Sequence, residues 1–550
     1  MTSQVDYSLY LVTDSTEAIL GSRDLVEVVE QALQGGVTIV QYRDKTSDTG
    51  ILISTAKKLH ETCKQHNIPL LINDRVDVAL AVGCEGVHLG QDDMSVAEAR
   101  RLLGNDKIIG ATVSSIEEAI VAVERGADYL GIGTLYSTQT KKNTKEIIGV
   151  NGIRKILSCL YEAGGRCKDV KSVCIGGVNA SNVQRVVHQL YAPSSNSSKP
   201  KTIDGVAIVS AIIGAKDPKE ASSHLQQLIK SPPSFSKSND PVFWLERNED
   251  EVKSVVSNAD EATAAVHSKS PLSHNMTNLV VQNFAANVAL AVGASPIMAN
   301  YGEEATDLSH LGGALVVNMG TVTPEGLANY KKAITAYNSV GGPIVLDPVG
   351  AGATSIRRDA LAQLLGSGYF DLIKGNEREI MAVARASGFT LDDSSQQRGV
   401  DSGVSLFSLE QRAYLVSRIA LRERNVVLMT GATDVVSDGV RTYAISNGHA
   451  YLGKITGSGC TLGTTLSAYL AAWPQDKLHA VVAGILHYEI AAEYAARRED
   501  VKGPGTFVPA FIDELFARGG LVNEKKESWG KDAKVECLKD IPDAAFLKDV

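Results

Sequence analysis

The sequence predicts two consecutive α/β domains, a (β/α)8 barrel followed by an open three-layer α/β sheet. Three observations predict this. The chain is 550 residues long, which alone favours two to four domains. Short apolar runs alternate with segments of helical spacing through both halves. A Ser-, Pro- and Lys-rich stretch, "SPPSFSKSND" from Ser231, parts the halves and reads as a linker. The expected boundaries are residues 1–230 for the barrel, 231–261 for the linker and an amphipathic entry helix, and 262–550 for the second domain.

In the first half the strand-like runs are "YSLYLVT", "GVTIVQYR", "PLLIN", "GVHLG", "KIIGAT", "DYLGIG", "SVCIGG" and "DGVAIVS". Segments such as "DLVEVVEQALQ" and "SIEEAIVAVER" lie between them, with apolar residues at i, i+3 and i+4. Eight evenly placed strand–helix units favour a closed TIM barrel over a doubly wound open sheet. In the second half "ALVVNMG", "GPIVLDPVG", "DLIKGNEREI", "NVVLMTG" and "AYLG" read as strands alternating with helices, giving an open sheet.

Composition sets outer limits. Hydrophobic residues are 44% and charged ones 21%, ordinary for a globular chain. A net charge of −9 over this length argues against an extended nucleic-acid surface. The start, "MTSQVDYSLYLVTDS", has no charged n-region, and no apolar run reaches about 18 residues, so neither a signal peptide nor a membrane span is expected. Seven scattered cysteines without a C-x-x-C pair suit reduced thiols, and the expectation is a cytoplasmic protein.

In a barrel, chemistry sits where strands end. There the first half carries Gln41, Arg43 and Lys45, then Asn73 and Asp74, then Gln91, Asp92 and Asp93. Later strand ends supply Thr138, Thr140 and Lys141, then Gly176 and Gly177, then Val209 and Ser210. Carboxylates from neighbouring strands suit one Mg²⁺, which prefers oxygen ligands and keeps waters for a phosphate. Any one of these residues could be a helix cap or a surface ion pair; the set, at one end of successive strands, points to a diphosphate site.

The stretches "QYRDK", "INDRVDVALAVGCEGVHLGQDD", "YLGIGTLYSTQTKK", "CIGGV" and "GVAIVSAI", in that order, resemble the thiamine-phosphate synthase family over nearly all of Tyr7 to Lys230. The resemblance implies that a pyrimidine diphosphate joins a thiazole phosphate with release of diphosphate. It implies that Gln41, Arg43, Lys45, Asn73 and Lys141 hold the pyrimidine diphosphate, with Thr112 as a hydroxyl of less certain role. Asp74 and Asp93 would bind Mg²⁺, and Thr138, Thr140, Gly177, Val209 and Ser210 the thiazole phosphate. Two departures stand out: Ser137-Thr138-Gln139-Thr140 replaces the family's Pro-Thr-Pro-Thr, and Gly110-Ala111-Thr112 replaces Gly-Val-Ser.

The second half carries "PLSHNMTNLVVQNFAAN", "GASPIMA", "LDPVGAGAT", "IKGNEREI", "MTGATDVVSDG" and "TGSGCTLGT". In that order they resemble the hydroxyethylthiazole kinase family, of ribokinase-like fold, from about Ala262 to Arg518. The resemblance implies that Met298, Asn275 and Gly457 contact a thiazole alcohol and that Lys374, Thr430 and Asn376 serve ATP. Asp347 and Glu379 would place Mg²⁺. Lys374 stands where the family often has Arg, keeping the charge but not the planar fork. Cys460 follows a Gly-Ser-Gly turn at an expected helix start, where backbone N–H groups favour an anion, a thiolate included. By resemblance it is the proton acceptor, in the place where ribokinase-like enzymes generally have an aspartate.

Together the halves resemble the bifunctional thiamine biosynthesis enzymes of fungi, transferases that make and then consume a thiazole phosphate. The implied partners are small molecules, with ATP as co-substrate and Mg²⁺ as cofactor, and no nucleic acid or membrane. The kinase family's habit of forming trimers implies a homo-oligomer. The alternative is that one half is catalytically silent and acts as a binding or regulatory module.

Overall fold

The computed structural model describes residues 5–136, 147–192, 201–236, 244–391, 406–544 and 546–549. The chain divides into two compact units, Met1–Pro233 and Ser234–Val550. Among the described residues no helix is long and apolar enough to cross a membrane.

The first unit carries strands β1 (Leu9–Val12), β2 (Ile39–Tyr42), β3 (Leu70–Asn73), β4 (Gly86–Leu89), β5 (Ile108–Val113), β6 (Tyr129–Ile132) and β7 (Lys171–Ile175). A small antiparallel pair, β8 (Tyr191–Ala192) and β9 (Lys201–Thr202), precedes β10 (Gly205–Ile208). The long strands close a parallel barrel in the order β1-β10-β7-β6-β5-β4-β3-β2. Closure rests on β1, which sets Leu9 beside Val206 on one side and Tyr10 beside Ile39 on the other. Residues alternate between two faces, as strand geometry demands. Tyr10, Val12, Ile39, Leu71, Tyr129, Val173 and Ala207 form an inner cluster, while Leu9, Leu11, Val40, Leu70 and Ile72 join the outer layer under the helices. Helix starts carry the expected caps: Asp24 accepts from Val26 and Glu27 N–H, and Ser95 and Ser115 each accept from the residue three on.

The second unit begins with the helix Asn248–Lys269 and carries β11 (Leu272–Met276), β12 (Ser295–Ile297), β13 (Ala314–Asn318), β14 (Ile344–Asp347), β15 (Leu372–Asn376), β16 (Phe389–Leu391), β17 (Val426–Thr430), β18 (Asp434–Ser437), β19 (Thr442–Ile445), β20 (Val535–Cys537) and β21 (Leu547–Asp549). Nine of them make one sheet in the order β12-β11-β13-β14-β15-β17-β18-β19-β20, and β16 pairs with β21. Alternate residues feed two cores. Along β13, Val316 packs into one hydrophobic cluster and Leu315 and Val317 into the other, which makes three layers. The sheet is parallel from β12 to β17 and antiparallel from there to β20. At β18 and β19 the change follows from connection length, since the turns after Thr430 and Ser437 are too short for a crossover helix.

One sequence expectation fails here. "AYLG", read as a strand, lies in a 3-10 turn, Ala450–Lys454, whose start is capped by His449 Nδ1 accepting from Tyr451 N–H. Its four residues carry no period long enough to separate strand from turn.

Candidate active sites

The strand ends of the first unit open into a cavity of about 840 Å3. Gln41, Arg43, Lys45, Asn73, Asp93, Thr112, Gly177, Val209 and Ser210 all line it. Thr138, Thr140 and Lys141 lie outside the described residues. Asp74 sits at the cavity edge, its carboxylate taken by Lys45 Nζ and its φ of 63° in the left-handed region. A non-glycine residue in that region is uncommon and recurs at functional sites. Asp93 Oδ2 accepts from Gly90 N–H at 2.7 Å. Burial, and then Asp74 beside it, push the Asp93 carboxyl above its ordinary range. Two adjacent carboxyls of this kind form a donor set suited to a hard divalent cation. Arg43 stands 3.7 Å from Asp14 at the mouth.

Polar side chains of the inner layer form the cavity floor. Tyr10 hydroxyl donates to Gln41 Oε1 at 2.9 Å, and Gln41 Nε2 donates to Asn73 Oδ1 at 2.6 Å. Tyr129 oxygen lies 2.6 Å from Tyr10 oxygen and 2.7 Å from His88 Nδ1. Tyr10, His88 and Tyr129 escaped the sequence reading. The signal available was a polar residue inside an apolar barrel strand, as in "GVHLG".

In the second unit the helix Ser458–Ala472 starts at Gly457, whose φ is 89°. A Cβ there would lie 2.5 Å from Val281 Cγ2, so space and backbone both favour glycine. Cys460 is in the first turn and accepts from Asn278 Nδ2 at 3.5 Å. Asn278 also donates to Asn318 Oδ1 at 3.1 Å, and Asn318 Nδ2 donates to Asp347 Oδ2 at 2.8 Å. Lys374 Nζ closes the cluster, 3.0 Å from Asp347 and donating to Gly459 carbonyl at 2.7 Å. Burial alone would lower the Lys374 ammonium, but Asp347, with Cys460 and Glu379 adding to it, holds it above its ordinary value.

Glu379 accepts from Gly350 N–H at 2.7 Å and Asn376 N–H at 2.8 Å, while Asn376 caps the helix Glu377–Ala386 reciprocally. Burial, then Asp347, pushes the Glu379 carboxyl up to about 7. Thr430 ends β17 in register with Asn376. Met298 follows edge strand β12 and is half-buried.

Asn275 does not join this cluster. Its Nδ2 donates to Ser273 carbonyl and hydroxyl, and its Oδ1 accepts from Thr464 hydroxyl at 2.7 Å, so it ties β11 to the helix behind the site. The residue that reaches Cys460 is Asn278, three along the same quoted stretch.

Comparison with known proteins settles the family. Residues 9–212 match the family model described as thiamine monophosphate synthase, and 263–518 the model of the hydroxyethylthiazole kinase family. A Schizosaccharomyces pombe protein named probable thiamine biosynthetic bifunctional enzyme is 42% identical over 545 residues, covering 98% of this chain and 99% of that one. The chain belongs to the family of bifunctional thiamine biosynthetic enzymes. The Saccharomyces cerevisiae thiamine biosynthetic bifunctional enzyme is 35% identical over 559 residues, covering 96% of this chain and 98% of its own. A Clostridium novyi thiamine-phosphate synthase is 39% identical over 224 residues, 41% of this chain and 99% of its own. The first unit is thus the thiamine-phosphate synthase and the second the hydroxyethylthiazole kinase, for which ATP is co-substrate.

In the kinase unit the surroundings of Cys460 act against the helix start. Burial, and then the nearby Asp347, push the Cys460 thiol up to about 11, against the pull of Lys374 and the two asparagine amides. The helix start does not outweigh them. Burial and the Asp347 carboxylate thus favour the thiol, while Lys374 and the asparagine amides favour the thiolate.

Proposed function

We propose that the two units act in sequence. The kinase unit transfers the ATP γ-phosphate to the hydroxyl of 4-methyl-5-(2-hydroxyethyl)thiazole. The synthase unit joins the thiazole phosphate to hydroxymethylpyrimidine diphosphate, giving thiamine phosphate and diphosphate. The observation that carries the synthase reading is the single cavity shared by Gln41, Arg43, Lys45, Asn73, Asp93, Thr112, Gly177, Val209 and Ser210. Cations and N–H donors gather on the β2 and β3 side of it, glycines and Ser210 on the β7 and β10 side. That division suits a diphosphate at one wall and a monophosphate at the other. No strong base or nucleophile is needed, because a neutralised diphosphate leaves readily and the aminopyrimidine stabilises the cation left behind. Lys141, Thr138 and Thr140 complete the reading from sequence alone.

Mg²⁺ fits both units to different degrees. Among the described residues no three His, Cys, Asp or Glu side chains converge as a metal cage, so any cation would rest on one or two carboxylates and on waters. In the synthase Asp74 and Asp93 would hold it, and it would neutralise the departing diphosphate. In the kinase Asp347 would hold it, with Glu379 acting through water, since two backbone amides already occupy its oxygens. There it would screen the ATP phosphates.

In the kinase Lys374, Thr430 and Asn376 serve the nucleotide end, and Gly457 and Met298 the thiazole alcohol. Cys460 accepts the hydroxyl proton as its thiolate, the form that Lys374 and the asparagine amides favour. Met298 lies at the sheet edge, and on the side of Asn278 the apolar Leu279 and Val280 are more than 70% exposed. This supports a homo-oligomer, built on kinase-unit trimers, in which a neighbouring chain covers that side. All seven cysteines are free, in keeping with a reducing cytoplasm.

The deciding experiment assays the full chain for Mg²⁺-dependent coupling and, separately, for ATP-dependent phosphorylation of the thiazole. Asp93→Ala is expected to weaken the first and keep the second, and Cys460→Ala to do the reverse. Loss of both activities in either variant counts against separate sites, and ligand binding without turnover in one unit favours a silent module.

A further inference from the structure

Six side chains, from six neighbouring strands, form one chain of hydrogen bonds across the synthase barrel. Thr112 on β5 meets His88 Nε2 at 2.8 Å, and His88 Nδ1 on β4 meets Tyr129 oxygen at 2.7 Å. Tyr129 on β6 meets Tyr10 on β1 at 2.6 Å, Tyr10 meets Gln41 on β2 at 2.9 Å, and Gln41 meets Asn73 on β3 at 2.6 Å. The barrel wall is opened to admit it. A Cβ on Gly110 would fall 2.1 Å from Tyr129 Cζ, and one on Gly131 would fall 2.9 Å from His88 Cε1.

The direction of the chain follows from the proton count. A phenol has one proton to donate. Tyr10 donates to Gln41 Oε1, so at the contact between the two phenols Tyr129 is the donor. Tyr129 must then accept from His88 Nδ1–H, and an imidazole carrying that one proton accepts at Nε2 from Thr112 hydroxyl. Burial raises both phenols well above their ordinary range, so both keep their protons. At the other end Gln41 Nε2–H points to Asn73 Oδ1, turning Asn73 Nδ2 away from Gln41. A side-chain amide has two ends of equal size, and only its partners decide which way it faces. An anionic phosphate beside Asn73 reinforces this direction, because it needs the N–H donors outward.

We propose that Tyr10, Tyr129 and His88 are positioning residues of the synthase, which lock the Gln41 and Asn73 amides with N–H donors toward the cavity and so select an aminopyrimidine over its oxo counterpart. The ring nitrogen next to an exocyclic amino group is a bare acceptor and pairs with the second Gln41 N–H. In the oxo analogue the same ring position carries a proton, and donor faces donor. Sites built around a required hydrogen bond discriminate strongly, because the mismatch leaves buried groups unpaired. Breaking the chain frees the Gln41 amide to turn over and offer its carbonyl, which accepts the oxo analogue's N–H. The inference rests on the proposal that this cavity takes the pyrimidine diphosphate.

The test uses the full chain with Tyr129→Phe, Tyr10→Phe, the double variant and Gln41→Ala, assayed with the amino- and oxo-pyrimidine diphosphates. Each Phe variant is expected to raise KM for the aminopyrimidine about tenfold, with a smaller change in kcat. Each is expected to lower the amino-over-oxo ratio of kcat/KM about tenfold or more. One break disables the whole chain, so the double variant should be no worse than either single change. Kinase turnover reports equal amounts of chain, and a cooperative first-unit transition reports folding. Where Tyr129→Phe does not fold, Tyr10→Phe carries the test. An unchanged selectivity ratio in the folded Phe variants, with Gln41→Ala still raising KM, overturns the positioning role. An unchanged KM in Gln41→Ala overturns the placement of the pyrimidine itself, and the inference with it.

Discussion

The two candidate sites hold their cations by opposite means. In the synthase the cations stand at an open rim. Lys45 pairs with Asp74 while its side chain remains 52% exposed, and Arg43 faces Asp14 at 25% exposure. In the kinase the cation is sealed in, with Lys374 and Asp347 side chains 3% and 1% exposed. An exposed pair contributes little to stability and can rearrange when a substrate arrives. A buried pair is costly to disrupt, and it is already set before ATP binds. One chain thus holds an adaptable electrostatic site and a preorganised one, and substitutions should separate them.

The largest effect is expected at the sealed pair. Lys374→Met leaves Asp347 charged, buried and unpaired, which costs about 3–5 kcal/mol. Kinase turnover should fall at least a hundredfold, and the second unit should unfold at a lower temperature while coupling by the synthase persists. Lys45→Met, made for comparison, should slow coupling yet shift stability by less than about 1 kcal/mol. Calorimetry of the two variants checks this, and equal destabilisation would erase the contrast between the sites.

Asp93→Ala comes next. Burial and the neighbouring Asp74 both oppose the charged form of Asp93, so removing Asp93 relieves strain and the barrel should keep its stability. Coupling should nonetheless drop roughly a hundredfold or more at saturating Mg²⁺, with kinase turnover unaltered. Coupling that survives with normal Mg²⁺ dependence would take Asp93 out of the metal site.

A smaller effect is expected at Cys460, since the base is a secondary term in phosphoryl transfer. Cys460→Ala should lower kinase turnover about ten- to a hundredfold. Cys460→Asp should retain activity, because a carboxylate is already ionised where the thiol is held at about 11. It also stands within reach of Lys374, which offsets its repulsion with Asp347. Turnover unchanged in the alanine variant would make Cys460 a packing residue.

The contrast also explains what could be read from sequence. The eight barrel strands were legible because each is a short apolar run between helical segments, and strand ends are where charged residues gather. The antiparallel β18 and β19 were not, because turn length rather than pattern decides how a strand pairs. Charged site residues such as Arg43, Asp93 and Asp347 announce themselves by type. Tyr10, Tyr129, Asn278 and Asn318 do not, since a tyrosine or asparagine becomes a site residue only through neighbours distant in the chain. Tyr10 and Tyr129 are 119 residues apart, and Asn278 and Cys460 are 182 apart. The surroundings of Cys460 follow the same rule: the helix start is visible locally, and the buried carboxylate from β14 is not.

The smallest effect concerns stability alone, and it again separates the units. His487 is fully buried in the kinase unit, bonded to Tyr469 hydroxyl at 2.8 Å and Leu515 carbonyl at 2.7 Å. Burial pushes its imidazole down to about 4, with the Leu515 carbonyl opposing and His267 assisting. In the unfolded chain an ordinary histidine titrates near 6.5. Between those values the unfolded state binds a proton that the folded state refuses, so stability rises with pH. The contribution is present in full above about pH 6.5 and is lost as pH falls toward 4, amounting to about 3 kcal/mol across the window. The second-unit transition should therefore drop on going from pH 7.5 to pH 5, and His487→Gln should flatten that slope while costing stability at neutral pH. The first-unit transition, recorded in the same scans, should keep its own pH profile in the variant. An equal second-unit slope with and without His487 would assign the acid sensitivity to other groups.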